Sequence, residues 1–527
     1  MRSDDDAERL RECLETLEAL IEDRGRLLAL DDETRVRLIV AAGRVSRPER
    51  AELRRLAKAR RNRARRIRRE ADEQMLAGAG IRALRRAPIF PTPPPSWLGA
   101  SDRPPPALAP PAPPPSAPAS PAPAPSGEEA ASSAGGPREL RDARRCYVCR
   151  SHFREVHDFY DQMCPACAAL NWERRHRVAD LSGRVALVTG ARVKIGYQAA
   201  IKLLRAGAHV VVTTRFARDA AQRYAREADF EQWRERLQIH GLDLRHTPSV
   251  ELLCEHLDRT LPRLDFILNN ACQTVRRPPG YYRHLVEAEG AARLEGPAQR
   301  LLESDTALRE RRPRSGSIAE AKGPAAWLDP VALSQAALLA EELGPDRHLF
   351  PEGLLDADLQ QIDLRRRNSW RLQLHEVPTV ELLEVQLVNA IAPYVLNGRL
   401  RALMCRSPER DKHIVNVSAM EGQFYRQGKT DRHPHTNMAK AALNMMTRTS
   451  AADYVQDGIH MNSVDTGWIT DEDPIEIAER KTAEQGFHPP LDVIDGAARI
   501  VDPIFEGFEE GEHLWGLFLK DYRPIAW

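Results

Sequence analysis

From Gly183 onward, short β-branched and apolar runs alternate with stretches long enough for helices, and this rhythm constrains the fold more than any other feature. Strands are expected at residues 185–188, 209–213, 264–268 and 413–417, with another ending at Asp243; helices are expected at 197–205 and 436–454. Parallel strands need long crossovers, and helices supply them, so the alternation predicts a parallel sheet covered on both faces. The first strand runs straight into Thr189-Gly190-Ala191-Arg192-Val193-Lys194-Ile195-Gly196. Glycines are required where backbone approaches a pyrophosphate and where helix meets strand, and the helix N-terminus then adds amide donors and dipole. The expected fold class is α/β, a Rossmann-type doubly wound parallel sheet with a nucleotide-binding turn.

The first third of the 527-residue chain does not follow this rhythm. Residues 1–87 are rich in Leu, Arg, Ala and Glu without strand alternation, and predict a helical, basic region. Ser46-Arg47-Pro48-Glu49 reads as a helix start, in which the serine caps free amides, proline tolerates the first turn and Glu49 reaches back. From Arg47 to Glu70 the helix it opens carries 12 basic and three acidic residues. Such a face either binds a polyanion, nucleic acid included, through Arg47 to Arg69, or is a solvated surface with Leu53, Leu56 and Ile67 docked on a neighbour. The lack of interleaved aromatics favours the second reading.

Residues 88–140 read as a disordered Pro/Ala-rich linker, since 18 of the 39 prolines lie between Pro88 and Pro137 and remove the amide donors a packed core needs. Runs such as Pro113-Pro114-Pro115 either dock in a partner's aromatic groove or serve as plain spacer. Overall charge excludes a global electrostatic partner, because 77 Lys plus Arg face 76 Asp plus Glu. The opening MRSDDDAERL lacks a signal-like cationic start and apolar run, and no uninterrupted apolar stretch approaches the roughly 20 residues of a membrane helix. A soluble, cytoplasmic protein without a membrane partner is expected.

Residues 141–178 carry two C-x-x-C turns, Cys146-Tyr-Val-Cys149 and Cys164-Pro-Ala-Cys167, separated by 14 residues. Two such turns offer four thiolates to one tetrahedral ion and leave no open position, which points to structural zinc held by Cys146, Cys149, Cys164 and Cys167. Two disulfides or a redox dithiol are the alternatives. His152 and His157 lie between the knuckles and are expected on the surface or in packing, with Phe153, Phe159 and Tyr160 around the metal and Trp172 following. Cys13, Cys254, Cys272 and Cys405 are scattered, and Cys272 is expected to be a buried, inert thiol.

Taken in order, the turn at Thr189 to Gly196, Asn269-Asn270-Ala271-Cys272, Asn389 in QLVNAIAPY, Ser418-Ala419, Thr436 with Lys440, and Asn462-Ser-Val-Asp-Thr-Gly467-Trp-Ile-Thr470 resemble the motif series of the short-chain dehydrogenase/reductase family. The resemblance covers about residues 181–527, within an expected domain at 179–527. It implies a dinucleotide cradled by Gly190, Arg192, Lys194, Ile195 and Gly196, with Asn269, Asn270 and Ala271 beneath it. It also implies Asp243 at the adenine amino group, Thr470 at the carboxamide and Lys440 at the nicotinamide ribose. Lys194 stands where the family has its middle glycine, Cys272 where it has another, and Thr466 where it has proline. After the second strand Thr213-Thr214-Arg215 offers no carboxylate for a ribose 2′-hydroxyl, whereas Arg192 and Arg215 suit a 2′-phosphate, so NADP(H) is favoured over NAD(H). The alternative for Arg215 is an exposed strand-end residue.

In that family a tyrosine transfers the proton, a lysine lowers its pKa, a serine orients the carbonyl and an asparagine anchors a relay water. Lys440 and Asn389 match the last lysine and asparagine, but Thr436 occupies the tyrosine position and Ala419 the serine position. Strand alternation turns Ser418 to the opposite face from Ala419. An aliphatic hydroxyl is a far weaker acid than a phenol, so rescue is sought in Tyr425, in His435 with His433 nearby, or in Tyr281 and Tyr282. The last two belong to an insertion at about 275–378, expected to lie over the carboxyl ends of the strands as a lid or partner surface. Within it GYYRHL and PVALSQAALLAEEL read as ordered and helical, and RERRPRSGS as mobile. Two functions follow from the resemblance. One is an NADP-binding reductase acting on a carbonyl or alcohol of unknown structure through a non-standard donor. The other is an inactive, NADP(H)-responsive scaffold that holds a protein partner through the zinc module, linker or insertion. A homo-oligomer is compatible with both.

Overall fold

The computed structural model describes residues 2–47, 50–86, 92–93, 138–291, 294, 296–310, 329–344, 346–425 and 428–527. The linker reading at 94–137, and most of the arginine-rich run beginning at Arg309, therefore lie outside the described residues. Two compact units are present, Met1–Asp72 and Glu73–Trp527.

The first unit is helical, with helices Arg2–Glu22 and Asp32–Ser46 and the first part of Arg50–Ala77. Asp31 caps the second of these by accepting from the Thr34 amide at 2.9 Å. Ser46 does not open the next helix as expected: it closes the preceding one, its hydroxyl donating to the Gly43 carbonyl at 3.1 Å. Leu53, Leu56 and Ile67 are also not docked but exposed. Arg60 and Arg63 interrupt the face these apolar residues would share, so no continuous stripe forms.

The second unit is built on an eight-stranded sheet. Its strands, numbered in chain order after the pair β1 (Glu139–Arg145) and β2 (His152–Glu155), are β3 (Val185–Thr189), β4 (His209–Thr214), β5 (Leu237–Gly241), β6 (Phe266–Asn269), β7 (Lys412–Ser418), β8 (Ile459–Asp465), β9 (Phe518–Lys520) and β10 (Arg523–Ile525). The sheet order is β10-β9-β8-β7-β6-β3-β4-β5, and every pair is parallel except β9 with β10. The order reverses between β3 and β6, the place where α/β sheets open a crevice. The third strand ends at Gly241, so Asp243 lies just beyond it rather than at its end.

Period-two alternation explains why both faces are covered. Ala186 and Val188 of β3 enter one core with Ala199, Leu203 and Leu204 of helix Lys194–Arg205 and Ile500 and Ile504 of helix Val493–Glu510. Val185 and Leu187 enter the other with Leu253 and Leu257 of helix Thr247–Thr260 and Leu396, Leu400 and Leu403 of helix Ala392–Met404. Each fully buried Val, Leu or Ile among them contributes about 1.5–3 kcal/mol of transfer free energy. The run Thr379–Met404 is long and apolar enough to cross a membrane, but these leucines spend its apolar face on the sheet.

The cysteine-bearing segment is no separate globule. Leu76, Ile81 and Leu84 share a core with Phe153, Phe159 and Tyr160 of the knuckle region and with Ile469, Leu491 and Val493 of the sheet layer. Buried ions fix the contact: Arg175, on helix Pro165–His176, donates to Asp492 at 2.8 and 2.9 Å and to Asp495 at 2.8 Å, and the Tyr160 hydroxyl donates to Asp495 at 2.6 Å. Removing one partner from such a buried group costs about 3–5 kcal/mol.

Candidate functional site

A cavity of about 1320 Å³ opens at the carboxyl ends of β3 to β8. At one end stands the glycine turn. Gly190 has φ 66°, and a Cβ there would meet Ala271 Cα at 2.8 Å; a Cβ on Gly196 would overlap the Asn270 amide. Asn270 Nδ2 donates to the Thr189 carbonyl at 3.0 Å and the Gly190 carbonyl at 3.2 Å, and the Ala271 amide donates to Thr189 Oγ1 at 3.0 Å. The turn is thus tied to the end of β6, and its glycines are what let it pack directly on Asn270 and Ala271. Lys194, at the family's glycine position, holds φ 57°, a left-handed conformation that costs a non-glycine residue about 1–2 kcal/mol. The residues present fit a dinucleotide.

Of the sequence-derived cradle, Gly190, Arg192, Lys194, Ile195, Gly196, Arg215, Asp243, Asn270, Ala271, Lys440 and Thr470 all line this cavity. Asn269 does not; it is buried and donates to Asn397 and Asn416, each at 2.8 Å, pinning β6 to its neighbours. Several charged members already have partners. Arg192 donates to Asp219 at 2.7 Å and Gln360 at 3.3 Å, and Arg215 donates to the Tyr282 hydroxyl at 2.7 Å with its guanidinium 4.4 Å over that ring. Burial alone would raise the Asp243 carboxyl, but Arg245, bound to it at 2.6 Å, holds it below the usual range. Cys272 corrects an expectation: it is exposed and faces the cavity, because the chain leaves β6 at Asn269 and turns outward.

At the other end, helix Pro434–Tyr454 presents Lys440, whose Nζ donates to the Val417 carbonyl at 2.6 Å. Ala419 lines the wall; Ser418 points to Asn444, to which its hydroxyl donates at 2.6 Å. Thr436 is buried, lies outside the cavity lining, and its hydroxyl has no hydrogen-bond partner among the described residues. Tyr425 is half exposed and away from the lining, and His435 is buried with Nε2 3.2 Å from Glu381. Tyr281 and Tyr282 sit at the Arg215 end. His433 does face the cavity. It begins the helix at φ 43°, stacks on Trp370 at 3.9 Å with a 5° interplanar angle, and its amide donates to the Leu372 carbonyl at 2.8 Å. Asn389 lies in a π-helical turn, Leu387–Ile391, and exchanges two bonds with the Gln273 backbone, at 2.7 and 3.1 Å. It therefore positions the loop after β6.

The insertion forms short helices, including Pro279–Tyr282, Arg283–Ala291 and Pro330–Ser334, and buries Tyr281, Tyr282 and Phe350 against Phe216. Arg371 and Asn368 tie its end to Asp473 and to the Glu472 carbonyl. These contacts hold it against the strand ends.

Sequence reasoning missed Tyr147. It stands between the two cysteines of the first knuckle, yet lines the cavity, accepts from the Trp468 amide at 2.9 Å and lies against Gly467. Only its position inside a C-x-x-C turn marked it, and that turn reads as remote from the nucleotide. All four knuckle sulfurs lie within 4.8 Å of one another, with Cys149 and Cys164 at 3.7 Å, and none forms a disulfide. This donor set suits a tetrahedral zinc ion. Ser151, 3.0 Å from Cys149 Sγ, draws that thiol down to about 6. His152 is exposed, and His157 packs on Trp172 and Tyr160 while accepting from the Phe159 amide at 3.0 Å.

Residues 184–282 match the family described as short chain dehydrogenase, and residues 367–489 match that described as enoyl-(acyl carrier protein) reductase. The break between them falls in the insertion. An uncharacterized protein of Acanthamoeba polyphaga mimivirus is 30% identical over 378 residues, 69% of this chain and 71% of that protein. A fatty acyl-CoA reductase of Acinetobacter baylyi is 31% identical over 98 residues, 19% of this chain and 32% of its own length. The Pseudomonas aeruginosa RhlG/NADP active-site complex is 18% identical, with a TM-score of 0.41, covering 65% of this chain and 95% of its own.

Proposed function

Because the chain belongs to the short-chain dehydrogenase/reductase family, we propose that it binds NADP(H) and interconverts a carbonyl and an alcohol, with His433 as the proton donor. One observation carries this reading: a single cavity joins the glycine cradle, Arg215, Lys440 and His433. NADPH, when bound, supplies the hydride. Arg215 follows the end of β4, where Thr213 and Thr214 offer no carboxylate to a ribose 2′-hydroxyl, and this favours NADP over NAD; Arg192 is engaged by Asp219. Lys440 offers an ammonium to the ribose, held in place by the Val417 carbonyl. Trp370 stacks on His433 and fixes its plane beside the cavity, where an imidazole can act as a general acid toward a bound carbonyl. The insertion restricts water and selects the substrate. Zinc in the four-cysteine site is structural in this reading, and the eight free cysteines favour a reducing, cytoplasmic location.

Purified full-length protein tests it. NADPH should bind more tightly than NADH, Arg215→Ala should narrow that preference, and oxidation of NADPH with a panel of aldehydes, ketones and quinones should fall in His433→Ala. No turnover with any member of the panel would sink the catalytic reading. The burial of Thr436 and the presence of Ala419 favour a second reading, a catalytically inactive module that responds to NADP(H) and binds a protein partner. Binding of NADPH without turnover, together with a partner whose affinity changes with NADPH, selects it.

A further inference from the structure

Three histidines meet at the end of the sheet opposite the cavity. His413 and His460 are register partners on adjacent strands β7 and β8, so their side chains share one face, with ring centroids 5.3 Å apart. His513, in the turn after helix Val493–Glu510, brings its ring to 5.0 Å from the first and 4.9 Å from the second. His413 Nε2 lies 2.9 Å from His513 Nδ1, and one nitrogen from each ring falls within 4.8 Å of the others. Room for this is built in: a Cβ on Gly507 would overlap the His513 ring.

We propose that His413, His460 and His513 bind a divalent transition ion of the zinc class, a site separate from the four cysteines and from the cavity. His460 Nδ1 is 3.1 Å from the Lys412 carbonyl, so that nitrogen carries the proton and Nε2 keeps a free lone pair. Anchoring one imidazole nitrogen on a backbone carbonyl is how proteins orient histidine ligands. Two buried rings and one half-buried ring share only one mutual hydrogen bond, and His413 Nδ1 has no partner among the described residues. A metal accepting three lone pairs repays that lost hydration better than a single bond does. Burial lowers the proton affinity of all three rings, which favours the neutral form that ligates. The charges acting on them are Asp411, Arg184, which binds Asp411 at 2.7 and 2.8 Å, and Arg410. Three imidazoles leave a fourth tetrahedral position for water. From His413 to the cavity end of β7 is about 17 Å at ~3.3 Å per residue, too far for this ion to touch the nucleotide.

Cobalt(II) titration of the full-length, metal-stripped chain tests the proposal, because thiolate charge-transfer absorption reports the cysteine site alone. The wild type should bind one equivalent more than His513→Ala or His460→Ala, with thiolate absorption equal in all three. His513 lies in a half-exposed turn, so its removal spares the core. Uptake equal in wild type and variants overturns the proposal. So does wild-type protein whose entire cobalt uptake is accounted for by thiolate absorption, a result that needs no variant. Absent thiolate absorption with one histidine-dependent equivalent would remove the zinc reading of the cysteines and leave this one standing.

Discussion

The two ends of the cavity have diverged by different rules. At the cradle end the shape is made by backbone, through Gly190, Gly196 and the amides and carbonyls bound by Asn270 and Thr189. At the proton-transfer end the family's chemistry depends on the identity of two side chains, and here those positions hold Ala419 and a buried Thr436. Backbone geometry tolerates much sequence change around it, whereas a phenol cannot be approximated. The cradle end therefore keeps the family's pattern, while the other end departs from it at two positions.

This contrast can be broken by substitution. The largest effect is expected from His433→Ala, which should lower kcat about 100- to 10,000-fold, the range of a general acid, with NADPH affinity unchanged in a fluorescence titration; Thr436→Val should leave kcat within about twofold. An unchanged rate in the histidine variant would return the proton-transfer end to an unassigned state. Next, Gly190→Val, which places a side chain into Ala271, should weaken NADPH binding by about 100-fold or more, roughly 2.7 kcal/mol, measured by calorimetry. Treating the protein with a chelator, to withdraw the zinc proposed for the knuckle, or removing the phenol with Tyr147→Phe, probes whether the knuckle belongs to the cradle end. The loss of one hydrogen bond to the Trp468 amide should cost about 1 kcal/mol, a severalfold rise in Kd, and a chelator should do at least as much.

The last effect bears on stability and not on the cavity, and it is a pH slope. Burial raises the Asp502 carboxyl from 3.8 to about 7, even with Arg174 3.1 Å away. The folded state thus binds a proton that the unfolded chain has released, so stability from this group is present at low pH and lost as pH rises from about 4 to 7. Urea unfolding across that window should show the wild type losing stability relative to Asp502→Asn as the pH rises.

The sheet and the cradle were legible because they depend on patterns that survive in one dimension: period-two alternation at Val185 to Val188, and glycines at fixed offsets after it. The strand end at Gly241, short of Asp243, shows the ordinary uncertainty of a boundary. What escaped was tertiary. Cys272 turns outward because the chain leaves the sheet at Asn269, and no local pattern encodes that exit. Tyr147 reads as knuckle filling until the packing of Phe159, Tyr160 and Leu491 sets the knuckle on the sheet layer. His433 gains its place from Trp370, a residue of the insertion. Leu53 and Leu56 were expected to dock, but arginines share their face and both stay exposed.

The insertion also bears on how the molecule assembles. The chain leaves β6 at Asn269 and returns only at Lys412, yet these two strands are hydrogen-bonded neighbours at the centre of the sheet. Closing a loop costs only about 0.6 kcal/mol for each doubling of its length, so the detour takes little from final stability. Its burden is kinetic, since distant pairings slow folding. Until the second half of the sheet arrives, β6 waits with an unpaired edge, and a nascent chain paused in that interval is where aggregation would begin.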